Sequence, residues 1–302
     1  NEKIVSNKVL GNHRNSKMIS SFIQDEFSFN DKWTLLSGIR YDQHSIYGSH
    51  ASPKISIMFK PEMISRIRLS YGQGFRSPSF KELYYTHSNI TVGYNVKGNE
   101  SLRPETSHTV HLDIERWHTQ KYHARVNLFY NQIKDMIEFK YDAMIDGITT
   151  YSMANLSRAW TKGMELDFTY FIFENTELWL GYALLDSWDE EQEKNLSMKA
   201  KHKANGGIRY TFNNGVKTNM RFQYMGKRFY WDDTAAGVAQ GQTWIDNYTI
   251  INGHVSFPLP RNIRGYVGVK NLTDTVDPKW GPMPGREWYA GLRIDLFESF
   301  KE

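Results

Sequence analysis

Tyr71–Glu105, YGQGFRSPSFKELYYTHSNITVGYNVKGNESLRPE, lies between two segments that read as strands. Ile64 to Gly72 runs into it and Thr106 to Trp117 runs out. The stretch shows no clear period of its own. A connection this long inside a compact domain is uncommon and usually functional. Its Tyr, Asn, His and Arg content suits a recognition surface better than a linker. The expectation is a large irregular functional loop carried on a β scaffold.

On both sides the chain alternates with period two in segments of about ten residues. Trp33, Leu35, Ile39 and Tyr41 share one face, against Thr34, Arg40 and Asp42. Val110, Leu112 and Ile114 alternate with His111, Asp113 and Glu115, and Val126, Leu128 and Tyr130 with Arg125, Asn127 and Asn131. Thr149 to Phe171 reads as one long extended segment after a loop near Tyr141 to Gly147. Later, Val216, Met220, Phe222, Trp288, Ala290, Leu292 and Ile294 are expected to face outward, with Lys217, Arg221, Arg293 and Asp295 inward.

The connections alternate as well. Short turns at Asn30, Pro61, Thr119, Asn175, Asn214 and Leu259 interleave with longer loops at Gly48, Tyr71–Glu105, Asp146, Glu190, Gly237 and Trp280. A soluble sandwich has no reason to gather its long loops at one end, whereas a transmembrane β-barrel does. Phe29, Trp33, Phe59, Trp117, Phe171, Phe212 and Phe257 crowd the short-turn end, where an interfacial aromatic girdle belongs. The expected fold is all-β: a transmembrane antiparallel β-barrel, antiparallel throughout, with about thirteen strands in this chain.

Composition agrees. Aromatics make up 15 % of 302 residues, while mean hydropathy is negative, as alternation demands. Net charge is only +4 and dispersed, which does not indicate nucleic acid. Cysteine is absent, so disulfides and thiolate metal sites are excluded. There is no run of about 18 apolar residues for a membrane helix. Residues 1–15 lack a signal-peptide core and read as a leading loop.

Phe75-Arg76-Ser77-Pro78, Glu82-Leu83-Tyr84 and Gly98-Asn99-Glu100-Ser101-Leu102-Arg103-Pro104-Glu105 resemble a paired motif of TonB-dependent outer-membrane receptors. Further matches follow in family order: Gln24-Asp25-Glu26, Gly38-Ile39-Arg40-Tyr41-Asp42, Ser52-Pro53-Lys54, Lys162-Gly163-Met164-Glu165, Lys270-Asn271-Leu272-Thr273-Asp274 and Pro284-Gly285-Arg286. Glu100 stands where the family has proline. The resemblance spans 16–297, with 298–302 as a tail. It implies the C-terminal part of a larger, 22-stranded barrel in the bacterial outer membrane, plugged by an N-terminal domain. It implies TonB-energised uptake of a scarce metal chelate, a ferric siderophore or haem. Cobalamin is the close alternative, and a platform for a surface lipoprotein or an adhesin stands behind it. Implied partners are the TonB complex acting through the plug, outer-membrane lipid and the remaining barrel. No resident cofactor is implied.

Ligand candidates are Arg76, Tyr84, Tyr85 and His87 in the long loop, with Trp231, Trp244 and Trp280 in later loops. Aromatic walls stack on flat or hydrophobic chelates. His87 would ligate iron only if the ligand is haem. His108 and His111 are an odd number apart and face opposite sides of a strand, so they are not a metal pair. Gly72-x-Gly74 lacks the helix and third glycine of a nucleotide loop. Asp186, Asp189, Glu190 and Glu191 lack a calcium-loop spacing. No nucleophile–base–orienter set is present, so an enzyme is not expected.

The first strand and the last, Glu287–Phe297, both descend towards the short-turn end. Closing this sheet on itself would pair parallel strands, and an open edge in hydrocarbon costs several kcal/mol per unpaired group. Upstream sequence, on the same polypeptide or another chain, is therefore expected to supply the remaining strands and the plug.

Overall fold

The computed structural model describes residues 2–4, 14–89, 93–118, 121–146, 148–191, 193–232, 241–278, 281–282 and 284–294. β1 (Glu2–Ile4) and β2 (Arg14–Ser16) pair with each other, so the segment read as a leading loop, 1–15, contains β1 and most of β2. β3 (Met18–Ser28), β4 (Trp33–His44), β5 (Gly48–Phe59) and β6 (Ser65–Arg76) follow as hairpins. Then come α1 (Phe80–Tyr84), β7 (Thr86–Asn89) and β8 (Tyr94–Lys97). β9 (Glu105–His118), β10 (Tyr122–Ile145), β11 (Ile148–Phe173), β12 (Thr176–Asp189), β13 (His202–Thr211) and β14 (Lys217–Met225) resume the meander. β15 (Arg228–Asp232) and β16 (Gly241–Ile245) form a separate ladder. β17 (Tyr248–Leu259), β18 (Ile263–Lys270) and β19 (Glu287–Ile294) complete it.

The sheet runs β19-β18-β17-β14-β13-β12-β11-β10-β9-β6-β5-β4-β3, thirteen strands with antiparallel neighbours throughout that path. Among the described residues its two end strands do not pair with each other. The Pro61 turn precedes β6 and the long connection follows it, so the two lie at opposite ends of that strand.

The short turns have local causes. Asn30 Oδ1 accepts the Lys32 and Trp33 N–H groups at 2.9 and 3.0 Å. Gly215 takes φ +80° in the Asn213-Asn214-Gly215 turn, where a side chain would be strained. Thr119 lies outside the described residues.

Register makes one face apolar, row by row. Leu69, Leu112, Leu128, Met164 and Leu184 are direct cross-strand neighbours on five successive strands. The row nearer the short turns is Ile67, Ile114, Val126, Leu166 and Tyr182. Trp288 (70 % exposed), Leu292 (65 %), Met220, Leu180, Ile55 and Ile39 belong to the same belt. A contiguous apolar face this exposed on the isolated chain requires a cover, and lipid is the cover a barrel uses. Along β10 the belt runs from Tyr122 to Tyr130, about 27 Å of strand, the order of an outer-membrane apolar band.

The opposite face is polar. A groove of about 380 Å³ crosses it from β3 to β10, lined among others by Glu26, Lys54, Arg68, His111, Asp113 and Arg125. Lys217, Arg221 and Arg293 share this face, as expected. Asp295 lies outside the described residues. Val216 precedes β14 rather than lying in it.

Several expectations are corrected. Trp117 aligns with His123 on the polar face and lies 4.4 Å beneath the Arg66 guanidinium, so it does not join an outward girdle. The Gly48 connection is no long loop, because β4 ends at His44 and β5 starts at Gly48. Tyr141–Gly147 is mostly strand: Tyr141 pairs Tyr151 and Ile145 pairs Ile148, with a register shift between Tyr141 and Ala143. The length expected as loop is spent on a hairpin that projects beyond the belt.

One ladder is parallel, which antiparallel reading of the whole chain missed. β12 stays with β11 only as far as Asp189–Ala159, leaving the edge of β11 at Thr149–Ser152 open. β8 pairs there in parallel, Tyr94–Lys97 against Thr149–Ser152. An unpaired edge is satisfied by whichever strand can reach it.

Candidate ligand-facing loop cluster

The connection after β6 is not irregular. Ser79 caps α1: its hydroxyl accepts the Glu82 N–H at 3.3 Å, and the Glu82 carboxylate accepts the Ser79 N–H at 2.7 Å. This reciprocal capping box fixes where the helix starts. Its signal, Ser79-x-x-Glu82 before an apolar pair, was present in the sequence.

Arg76 joins both halves of the motif. Its Nε donates to Glu105 Oε2 at 2.7 Å, and Nη1 donates to both Glu82 oxygens at 3.0 Å. Glu105 Oε1 in turn accepts the Ile137 N–H at 2.7 Å. One guanidinium thus ties β6, α1, β9 and the projecting part of β10. Glu105 first, then Glu82, raises the Arg76 pKa above its ordinary value against burial. Burial opposes charge on Glu82, but the Ser79 donors and Arg76 outweigh it and lower its pKa.

The second half of the motif is clamped too. Asn99 Oδ1 accepts the Ser101 N–H at 2.9 Å, and Asn99 Nδ2 donates to Met153 O at 2.8 Å. The turn closes through Asn99, so a proline at position 100 is not needed for it. Arg103 pairs with Asp135, and Asn155 Nδ2 donates to Arg103 O at 2.9 Å. A Cβ on Gly98 would meet Leu83 O at 2.6 Å, so only glycine fits against the helix end. Phe80, Leu83, Leu102 and Ile137 form a small core here, with Tyr84 and Met153 packed against it.

The candidate residues divide. Tyr84 is half-buried against Phe80, ring centroids 5.8 Å apart. Tyr85 and His87 lie parallel at 5.9 Å, and His87 meets Tyr94 at 6.1 Å. Lys81 Nζ sits 5.5 Å over the Tyr85 ring. These form one aromatic, cationic row along the hairpin. Arg76 has its donors committed to two carboxylates. Trp244 is 57 % exposed and meets the buried Phe229 edge-on at 5.2 Å. Trp231 pairs through its backbone with Gln242, its side chain lying outside the described residues, as does all of Trp280.

The sequence reading missed a neighbouring cluster. His50 stacks on Phe75 at 3.7 Å and its Nε2 donates to Tyr47 O at 3.0 Å. His44 Nδ1 accepts the Ile46 and Tyr47 N–H groups. Burial, then Tyr84 and Glu82, raises the Tyr47 pKa. Only the stacking of Phe75, near the end of β6, on His50, near the start of the preceding β5, reveals it, and no local pattern carries that. Among the described residues no three His, Asp or Glu side chains converge as a metal site.

A membrane-spanning sheet with a built loop cluster at one rim defines the class: a β-barrel receptor. The chain belongs to the family described as TonB dependent receptor-like, beta-barrel, whose model matches residues 6–272. It is 26 % identical to the iron-regulated outer membrane virulence protein of Vibrio cholerae serotype O1, over 97 % of this chain and 47 % of that protein. It is 23 % identical to the ferrienterobactin receptor of Escherichia coli K12, over 86 % of this chain and 37 % of that protein. The ferric enterobactin receptor of Pseudomonas aeruginosa superposes with a TM-score of 0.76 at 20 % identity, covering 95 % of this chain and 46 % of that one. The chain therefore spans about half the length of the curated relatives it matches. Members of this family are transport receptors rather than enzymes.

Proposed function

We propose that this chain is the C-terminal part of a receptor that takes up a ferric chelate across the bacterial outer membrane. The observation that carries the reading is the stapled loop cluster, which presents Lys81, Tyr85, His87 and Tyr94 in one row beyond the lipid belt. Rings beside a cation suit an anionic aryl chelate. The relatives named for iron chelates support the same class. In this reading the polar face lines a lumen holding an upstream plug, and TonB acts through that plug. An outer membrane has no energy source of its own, so concentrating a rare solute needs one.

Haem is the second reading, favoured by His87 in the hairpin and by a haem utilization relative in Haemophilus influenzae. The test uses the receptor with its upstream sequence, purified and titrated separately with ferric enterobactin, haem and cyanocobalamin. Saturable quenching by the ferric chelate alone is expected. Binding of haem or cyanocobalamin instead would replace the substrate, and binding of none would remove the uptake reading.

A further inference from the structure

The upper edge of the apolar belt changes character within two rows. Above the all-aliphatic row of Leu69, Leu112, Leu128, Met164 and Leu184 lies Tyr71, Val110, Tyr130, Lys162 and Asp186. The next row is Gln73, His108, Gln132, Trp160 and Trp188. One row further, Lys134 directly faces Arg158. All of these share the lipid-facing side, by register. Tyr130 and Trp160 stack at 6.5 Å, and Tyr71 Oη lies 2.8 Å from His108 Nδ1. This is an aromatic interface belt at the long-loop rim.

The cations are the unexplained part. Like charges directly opposite one another on a sheet are destabilising, yet Lys134 and Arg158 hold that relation. Arg158 meets Glu190 at 3.4 Å and Lys162 meets Asp186 at 3.9 Å, with 53 % and 55 % of the two cationic side chains exposed. Lys162 Nζ also lies 4.5 Å over the Trp160 ring. Among the described residues Lys134 has no carboxylate partner. Three cations on two adjacent strands therefore stand just above hydrocarbon, where a lipid headgroup lies.

We infer that Lys134, Arg158 and Lys162 form a binding site for a phosphate of an outer-leaflet glycolipid of the lipid A type. Acyl chains lie on the leucine row, sugar rings on Tyr130 and Trp160, and the phosphate between Lys134 and Arg158. The inference rests on the outer-membrane placement proposed above, not on the identity of the solute.

The test uses the receptor with its upstream sequence in phosphatidylethanolamine nanodiscs, titrated with diphosphorylated lipid A. Lys134→Gln and Lys162→Gln should each weaken binding about fivefold, as expected for one cation near a charged surface. Lipid A stripped of phosphate should lose the site, and phosphatidylglycerol should not compete at equal concentration. Unchanged lipid A affinity in both variants overturns the inference, and so does equal competition by phosphatidylglycerol. Heat-modifiable migration of every variant reports insertion separately. If the parent receptor fails to insert, the membrane placement falls, not merely the lipid site.

Discussion

Val126 and Asn127 are neighbours in β10 and face different solvents. Val126 aligns with Ile114 and Leu166 in the apolar belt, while Asn127 is buried on the polar face and donates to Asp113 at 2.9 Å. Val126 lies midway between the Tyr122 and Tyr130 ends of the belt. Val126→Arg should therefore cost about 2–4 kcal/mol of folding into lipid. Asn127→Ala should cost about 1–3 kcal/mol, the penalty of unmaking buried hydrogen bonds. Urea titration of the inserted receptor measures both. A harmless Val126→Arg would reverse the assignment of faces.

Arg76→Ala removes the bond between the two motif halves and leaves Glu82 and Glu105 facing each other. The loop should lose roughly 2–3 kcal/mol of local stability, with the barrel intact. Limited proteolysis of 77–104 should accelerate while heat-modifiable migration is unchanged. Arg76→Lys should rescue little, since a lysine cannot span both carboxylates as a fork.

Gly98→Ala should force α1 away from the following turn, because the added carbon meets Leu83 O at 2.6 Å. Overpacking of this kind costs about 1–3 kcal/mol. Protection of the Gly98 and Asn99 amides, which donate to Tyr85 O and Glu82 O, is the direct readout.

Two carboxyls give the cluster opposite pH responses. Glu82 has a lowered pKa, so its contribution is present above the ordinary carboxylate pKa and is lost as pH falls through its folded value. Burial raises the Glu138 pKa, with Lys199 opposing, so its contribution is greatest below the ordinary value and is lost as pH rises through the folded one. Hydrogen exchange in 79–105 and 136–140 should show protection highest in weak acid. Glu138→Gln should flatten the loss on the alkaline side, and Glu82→Gln the loss on the acid side. A monotonic profile unaffected by either substitution would contradict this.

The faces were legible because alternation is local. Trp33 against Thr34 and Val110 against His111 need only the next residue to be read. The loop cluster was legible as a motif but not as a shape. Arg76 finds Glu105 only after α1 and the β7–β8 hairpin have folded between them. The Ser79-x-x-Glu82 box marks the helix start locally, although the stretch around it has no period of its own. The parallel β8–β11 ladder was illegible, since it depends on where β12 departs from β11. The same holds for Tyr141–Ile145, which reads as loop by composition and becomes strand because Ile148–Tyr151 lies opposite. His50 on Phe75 has no signature short of the fold itself.

The row-by-row register has a consequence for how such a gene can change. A codon added or lost inside a strand shifts every later side chain of that strand to the other face. The Asn30, Pro61 and Asn214 turns are only four or five residues long, which leaves little room to absorb the shift. The opposite rim carries the longer connections, 190–201 and 271–286. Insertions and deletions should therefore accumulate at one rim alone, and epitope tags placed there should leave the barrel inserted. One end of the molecule is free to diversify because the other is counted out residue by residue.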